Sequence, residues 1–215
     1  MLEKMGDFFD SRLDDYENHQ LNCIEAAQKF YPFTADCLPK KPGVLVLDLG
    51  CGTGLELEAF FSLNPTAKIT GIDLAPGMLS ALKQKYCEKD ISLILGSYFE
   101  VPFGEDIFDA AVSVESLHHF TKEEKIPLYI KLKAALKPGG YFILTDYFAE
   151  SAEKEHTYRQ ELIRLRKEQA LPDNEFYHYD TPLTVEHEKE ALIAAGFSSV
   201  EVLNHWSATY TLKAI

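Results

Sequence analysis

The 215-residue sequence predicts an α/β fold with a doubly wound, mostly parallel sheet and helices on both faces. The first observation is the run VLVLDLG at 44–50, which is short, continuously apolar and rich in Val and Leu, as strands buried on both faces are. The second is the alternation of strand-like and helix-like segments from this run to residue 146, which is typical of consecutive βαβ units. A hydrophobic content of 46% is enough to bury one sizeable core, so we expect a single domain.

The elements are predicted in order along the chain. Apolar positions at mostly helical spacing in 7–31 predict one or two helices that end near Tyr31-Pro32. After the first strand, the core is predicted to contain helix 55–63, strand 68–73, helix 76–87, strands 91–96 and 108–114, helix 122–136 and strand 141–146. A charged helix over 151–170 follows, then a helix over 184–195 that ends at Gly196, and finally two strands.

The single domain of residues 1–215 therefore divides into four predicted parts. They are a helical N-terminal cap (1–40), a core (43–146), a helical insertion after the fifth strand (147–182) and a C-terminal helix and hairpin (183–215).

Composition excludes several classes of protein. No segment reaches the roughly 18 apolar residues of a membrane helix and the acidic N-terminus does not resemble a signal peptide, so a cytoplasmic protein is expected. The four cysteines form no C-x-x-C pair, and no carboxylates and histidines stand at ligand spacing, so neither a disulfide nor a metal site is expected. A net charge of −13 disfavours nucleic acid and membrane partners, whereas the oligomeric state stays open, a homodimer included.

A glycine-rich turn follows the first strand. Asp48 precedes Gly50, Gly52 and Gly54, whose spacing permits tight backbone turns and lets a ligand lie directly on the main chain. The third residue after Gly52 is Leu55, so the G-x-G-x-x-G signature of dinucleotide folds is incomplete. A carboxylate at position 48 can pair with an ammonium group, which fits an amino-acid moiety better than a pyrophosphate.

The run V-L-D-L-G-C-G-T-G resembles the first motif of the class I (Rossmann-like) S-adenosylmethionine-dependent methyltransferases. Later segments match the family in order across 44–146: G-I-D at 71–73, L-G-S-Y at 95–98, D-A-A-V-S-V-E-S-L-H-H at 109–119 and L-K-P-G-G at 136–140. The resemblance implies a seven-stranded sheet whose last strand is antiparallel. It also implies S-adenosylmethionine as cofactor, S-adenosylhomocysteine as product, and in-line methyl transfer to a small-molecule acceptor.

The motifs also imply a set of cofactor-binding residues. Asp73 stands about twenty residues after the loop, where a carboxylate can accept hydrogen bonds from both ribose hydroxyls. The resemblance places Leu74 and Met78 beside the adenine and Tyr16 over the cofactor, and Ser97 stands where the family more often has Asp. The full expected set is Tyr16, Asp48, Gly50, Cys51, Gly52, Gly54, Asp73, Leu74, Met78, Ser97, Tyr98 and Glu115.

Residues at the exits of the fourth and fifth strands are expected to face the transferred methyl group. His119 or His118 is the candidate general base, which is needed only if the accepting atom carries a proton. The insertion is expected to act as a lid specific for the acceptor. The candidate acceptor-binding residues are Arg12, His19, Tyr147, Tyr177, Tyr179 and Trp206.

Two other functions remain open at this point. A protein that binds S-adenosylmethionine as a sensor, or for other chemistry, would carry the same loop. An NAD(P)-dependent oxidoreductase would use the same kind of crevice, but the missing glycine and Asp48 disfavour it.

Overall fold

The computed structural model describes residues 1–172 and 174–215. Within them one sheet consists of β1 (Leu45–Leu49), β2 (Lys68–Asp73), β3 (Ile91–Leu95), β4 (Phe108–Val114), β5 (Leu136–Tyr147), β6 (Val200–Trp206) and β7 (Thr209–Ala214). Its strand order is β3-β2-β1-β4-β5-β7-β6. Strands β1 to β5 pair in parallel, and β7 pairs antiparallel with both β5 and β6. The predicted fold class is therefore confirmed.

Eight α-helices lie in the described part of the chain. They are α1 (Met5–Asp10), α2 (Leu13–Cys23), α3 (Ala27–Cys37), α4 (Leu55–Leu63), α5 (Pro76–Lys85), α6 (Lys122–Ala135), α7 (Ala152–Glu168) and α8 (Val185–Ala194). A short 3₁₀ turn, Leu117–His119, follows β4. Helix α6 begins with a capping box in which Thr121 and Glu124 exchange side-chain-to-backbone hydrogen bonds.

The structure corrects two predicted boundaries. The N-terminal region holds three helices, and α3 continues through Pro32 to Cys37 rather than ending near Tyr31-Pro32. Phe30 and Ala35 on either side of that proline are fully buried, and this packing outweighs the local preference for a helix end. Strand β5 begins at Leu136 rather than at residue 141, because pairing with β4 starts at Phe108–Leu136 and resumes after a register shift.

The core lies on both faces of the sheet. Val46, Leu47 and Leu49 of β1 are at most 1% exposed, and they contribute to apolar clusters on opposite sides. Because β1, β2, β4 and β5 run in parallel, their carboxyl ends meet at one edge, where ligands of doubly wound sheets bind. None of the helices in the described ranges is long and apolar enough to cross a membrane.

A buried ion pair connects α6 to α8 behind the sheet. Lys125 is 1% exposed and Glu188 is fully buried, and the ammonium donates a hydrogen bond to the carboxylate at 2.5 Å. The Tyr129 hydroxyl donates to the other carboxylate oxygen. Each charge in this network therefore has a partner, as burial requires.

Candidate active site

The glycine-rich loop between β1 and α4 has a backbone that demands glycine. Gly50, Gly52 and Gly54 have φ angles of 74°, 47° and 71°, in the left-handed region. A β-carbon on Gly50 would also lie 2.1 Å from the Ser116 hydroxyl oxygen, closer than any contact allows. The loop can adopt this course only without side chains at these positions.

Asp73 at the end of β2 holds the loop in place. One carboxylate oxygen accepts a hydrogen bond from the Gly52 N–H at 2.8 Å, and the other accepts from the Ala75 N–H at 2.9 Å. Burial raises the pKa of Asp73, and these backbone donors oppose that rise. Asp73 thus shapes the loop, while each oxygen retains a lone pair for a further donor.

Buried acceptors without partners lie behind the loop. Asp48 is 1% exposed and Glu56 is 4% exposed, and burial raises the pKa of both carboxyl groups. Asp48 Oδ2, Glu56 Oε1 and the Thr53 hydroxyl oxygen have no hydrogen-bond partner among the described residues. Such orphaned acceptors fit a positively charged or hydrogen-donating group, for example the ammonium of an amino-acid moiety.

A narrow cleft of about 50 Å³ lies over the loop, and we call it the cofactor cleft. Eight residues expected at the cofactor line it: Tyr16, Gly50, Gly52, Asp73, Leu74, Met78, Tyr98 and Glu115. Four do not line it, namely Asp48, Cys51, Gly54 and Ser97. The Tyr16 phenol covers the loop, since a β-carbon on Gly52 would lie 3.5 Å from its oxygen. Burial is the largest cause that raises the pKa of Tyr16, and the negative charge of Asp73 raises it further.

The four residues outside the cleft have other surroundings. Asp48 and Cys51 are buried beneath the loop, with exposures of 1% and 3%. Gly54 faces the side chains of α4 and α5, and its carbonyl accepts a hydrogen bond from the Tyr86 hydroxyl. The Ser97 oxygen accepts the Phe99 N–H at 3.2 Å.

A second and larger cavity of about 740 Å³ lies beside the cofactor cleft, and we call it the acceptor cavity. Helices α1 and α2, the exits of β4 and β5, the loop before α8 and the β6–β7 turn form its wall. Four side chains line both cavities: Phe9, Tyr16, Glu115 and His119. A group bound in one cavity can therefore reach a group bound in the other at this shared wall.

His118 is a buried cation at the wall of the acceptor cavity. Its Nδ1 lies 2.5 Å from an Asp146 carboxylate oxygen, and its Nε2 lies 3.5 Å from Asp180. Burial disfavours the charged imidazole, but the two carboxylates outweigh burial and raise the pKa of His118 to about 10. Asp146 is fixed in turn by the Leu117 N–H at 2.8 Å. His118 is thus protonated at neutral pH and is a poor proton acceptor.

His119 is held in the opposite protonation state. Its Nδ1 lies 3.2 Å from the Tyr179 carbonyl oxygen and 3.1 Å from Asp180 Oδ1. Because both neighbours only accept hydrogen bonds, Nδ1 carries the hydrogen and Nε2 is the nitrogen that can take up a proton. Burial lowers the pKa of His119, and the charge of His118 lowers it further. His119 is therefore neutral at neutral pH.

Glu115 occupies a strained backbone position at the end of β4. Its φ angle is 49°, which is unusual for a residue with a side chain. The pKa of Glu115 is raised to about 8, chiefly by burial and next by the negative charge of Asp146. The Thr209 hydroxyl lies 3.4 Å from its carboxyl oxygen and donates to it.

The predicted acceptor-binding residues divide into two groups. Arg12, His19, Tyr147 and Trp206 line the acceptor cavity, whereas Tyr177 and Tyr179 do not. The chain near Tyr177 is extended and bridges to Lys4, and alternate side chains of an extended segment point to opposite sides. The Tyr177 hydroxyl accordingly donates to Glu175 at 3.0 Å, and Tyr179 contributes its carbonyl oxygen to His119. Both tyrosines thus lie outside the lining of this cavity, and their contact with the acceptor stays a prediction.

The same alternation places two other residues in the cavity. His178 and Asp180 line it, and the His178 ring stacks on Phe8 with 3.5 Å between centroids. Neither residue was among the predicted acceptor-binding residues. The pattern Y-H-Y-D in an extended segment was the signal that could have separated the inward from the outward side chains.

Two groups in the described residues have the spacing of metal ligands. The ligand atoms of His118, His119 and Asp180 lie within 4.8 Å of one another, as do those of Glu115, His118 and Asp146. No such set was apparent in the sequence, because the members come from three separate segments. In both groups His118 is already paired with Asp146, so its charge is balanced without an ion.

Comparison with known proteins finds relatives of residues 46–140, which include the glycine-rich loop. The profile of the methyltransferase domain family matches residues 46–140. Over 167 residues the chain is 32% identical to the biotin biosynthesis bifunctional protein BioHC of Teredinibacter turnerae, covering 74% of this chain and 27% of that protein. It is 30% identical over 126 residues to the tRNA (carboxymethyluridine(34)-5-O)-methyltransferase of Arabidopsis thaliana, covering 57% and 29%. The matched part of the chain thus spans only 27% and 29% of the length of these relatives.

Solved structures share the fold. A protein from Nostoc punctiforme described as an O-methyltransferase superposes with a TM-score of 0.71 over 99% of this chain and 61% of its own, at 21% identity. Human N-acetylserotonin methyltransferase, solved in complex with S-adenosylmethionine, superposes with a TM-score of 0.61 over 86% of this chain and 50% of its own, at 23% identity. Residues 46–140 therefore belong to the methyltransferase domain family, and the chain has the fold of S-adenosylmethionine-dependent methyltransferases.

Proposed function

We propose that this chain transfers the methyl group of S-adenosylmethionine to a small molecule bound in the acceptor cavity. The observation that supports this most is the shared wall of Phe9, Tyr16, Glu115 and His119 between the two cavities. A volume of about 740 Å³ is within the range of small-molecule sites. The net charge of −13 supports a small molecule over a nucleic acid, whose phosphates it would repel.

The loop residues fit the cofactor by their chemistry. Gly50 and Gly52 allow a ligand to lie against the backbone, and Asp73 offers lone pairs to two hydroxyl groups. The unpartnered oxygens of Asp48 and Glu56 supply hydrogen-bond acceptors behind the loop, and a bound ammonium would favour their ionised forms. When bound, S-adenosylmethionine supplies an electrophilic methyl group on a positively charged sulfur, which becomes neutral on transfer.

The cofactor cleft is smaller than a typical ligand site. The cleft volume of about 50 Å³ is well below the roughly 300 Å³ of the smallest typical ligand sites. Tyr16 on α2 fills the space over Gly52, and α1 is attached to α5 by the Gly77 N–H, which donates to Asp10 at 2.8 Å. We propose that α1 and α2 open to admit the cofactor and close again over it, which excludes water from the shared wall.

Two residues of the chain are assigned to proton chemistry. His119 is neutral, lines both cavities and can accept a proton at Nε2, so it is the proposed general base. The Nδ1–H of His119 faces the Tyr179 carbonyl and Asp180, which stabilise the imidazolium formed when Nε2 is protonated. His118 is proposed to position Asp180 and Asp146 rather than to accept a proton, because it is already protonated.

The test is incubation of the full chain with methyl-labelled S-adenosylmethionine and a fractionated metabolite pool. We expect label in a small-molecule fraction together with S-adenosylhomocysteine, and we expect tRNA added to a parallel sample to stay unlabelled. A protein that binds the cofactor but releases no S-adenosylhomocysteine would be a sensor instead. Cytoplasmic location and oligomeric state stay predictions.

A further inference from the structure

Negative charge predominates on the wall of the acceptor cavity. The acidic side chains that line it are Asp14, Asp15, Glu25 and Asp180, together with Glu115, whose raised pKa of about 8 leaves its carboxyl group mostly uncharged at neutral pH. Its two cations are already paired, since Arg12 contacts both carboxylate oxygens of Glu3 at 2.9 and 3.1 Å and His118 contacts Asp146 at 2.5 Å. An anionic acceptor would therefore be placed among carboxylates without an unengaged cation on the described wall, which is costly.

One of these acids presents an unused acceptor atom. Asp180 Oδ1 is buried and lies beside two histidines, yet it receives no hydrogen bond of regular geometry from the residues that the structure describes. Its neighbours are His119 Nδ1, whose hydrogen points to the Tyr179 carbonyl, and His118 Nε2 at 3.5 Å. Since Asp180 lines the cavity and contacts His119 of the shared wall, a donor bound to this oxygen would lie beside the position where the methyl group is transferred.

The remaining wall is aromatic. Phe8, Phe9, Tyr147 and Trp206 line the same cavity, and rings of this kind attract cations through their faces and pack against flat apolar groups. Asp14, Asp15 and Glu25 lie on α2 and the turn after it, so a cation that approaches the cavity meets carboxylates of the N-terminal cap.

From this arrangement we infer that the acceptor is an organic amine, protonated in solution and carrying a flat apolar body. The ammonium binds at Asp180, and the body lies against the aromatic wall. The inference rests on the proposed function, because it names the substrate class of that same cavity.

The transfer step balances with the groups already described. One ammonium proton passes to Nε2 of His119, which leaves a neutral amine. The nitrogen lone pair then forms the bond to the methyl carbon while the sulfur–methyl bond breaks and its electron pair stays on sulfur. The products are a methylated ammonium and S-adenosylhomocysteine, and His119 returns its proton to water.

The experiment compares matched acceptors with the same indole body: tryptamine, tryptophol and indole-3-propionate. Each compound is incubated with the protein and methyl-labelled S-adenosylmethionine to measure label transfer. In a separate thermal-shift assay, each compound is added to the protein loaded with S-adenosylhomocysteine. A wider pool of aromatic amines, alcohols and carboxylic acids is treated in the same way. We expect label transfer to amines, and thermal stabilisation by amines but not by carboxylic acids.

Two variants separate the charge of Asp180 from a general effect of the substitution. Asp180→Asn keeps the shape but removes the charge, and we expect it to raise the KM for the amine by about tenfold or more with unchanged S-adenosylhomocysteine affinity. Asp90→Asn makes the same change at an exposed position outside both cavities and should leave KM unchanged.

The outcomes distinguish the two levels of the account. Label transfer to alcohols or acids but not to amines overturns the amine assignment and leaves the proposed function standing. The amine assignment is also overturned if amines neither accept label nor stabilise the protein loaded with S-adenosylhomocysteine. A protein that binds no S-adenosylmethionine overturns the proposed function itself.

Discussion

Replacement of Asp73 by alanine tests how the chain holds its cofactor. The carboxylate accepts the N–H groups of Gly52 and Ala75, and its other lone pairs are assigned to two ribose hydroxyls. Loss of two charge-assisted hydrogen bonds should weaken cofactor binding by about 3 kcal/mol, or about a hundredfold in Kd. The two backbone donors also lose their acceptor, which should lower the free energy of unfolding by about 2 kcal/mol.

The assay is calorimetric titration of the wild type and of Asp73→Ala with S-adenosylhomocysteine, with circular dichroism to show that the variant is folded. Asp90→Ala serves as the control, since Asp90 is exposed and lies away from the loop. A folded Asp73→Ala protein with wild-type affinity would refute the assignment of Asp73 to the ribose.

Three further predictions concern stability and the histidines. Lys125→Met leaves Glu188 buried without its cation, so chemical denaturation should show a loss of about 3 to 5 kcal/mol, and Lys125→Met/Glu188→Gln should recover part of it. The pKa of His118 is raised to about 10 in the folded protein, so its ion pairs contribute fully to the free energy of unfolding below about pH 6.5, and this contribution is lost as the pH rises towards 10. The thermal unfolding temperature of His118→Gln should therefore vary less with pH over this range than that of the wild type. His119→Ala should lower kcat by about a hundredfold or more, and its pH–rate profile should lack the fall in rate that the wild type shows below pH 6.5. EDTA should leave the rates of the wild type and of the variant unchanged, because the proposed transfer uses no metal ion.

The central fold was predictable because its signals are local. The apolar run that forms β1, the glycine loop and the alternation of periods each lie within a short segment, and the structure confirms the sheet that they predict. The end of α3 was not predictable, because Pro32 is tolerated inside that helix only through the burial of its neighbours against the sheet.

The candidate site could be predicted only in part. Asp73 and the glycines stand in one motif, so their proximity follows from the sequence. Asp180 and His178 are about sixty residues from His118 and His119, and only the packing of the insertion against the exit of β4 brings them together. The opposite protonation states of the adjacent histidines likewise depend on Asp146, which comes from a third segment.

The most direct test of the account is parallel calorimetric titration of the full chain with S-adenosylmethionine, S-adenosylhomocysteine and NADPH. We predict binding of the first two in the micromolar range and no heat from NADPH. Binding of NADPH alone, or of none of the three, would contradict the assignment of the glycine loop and Asp73 to a methyltransferase cofactor.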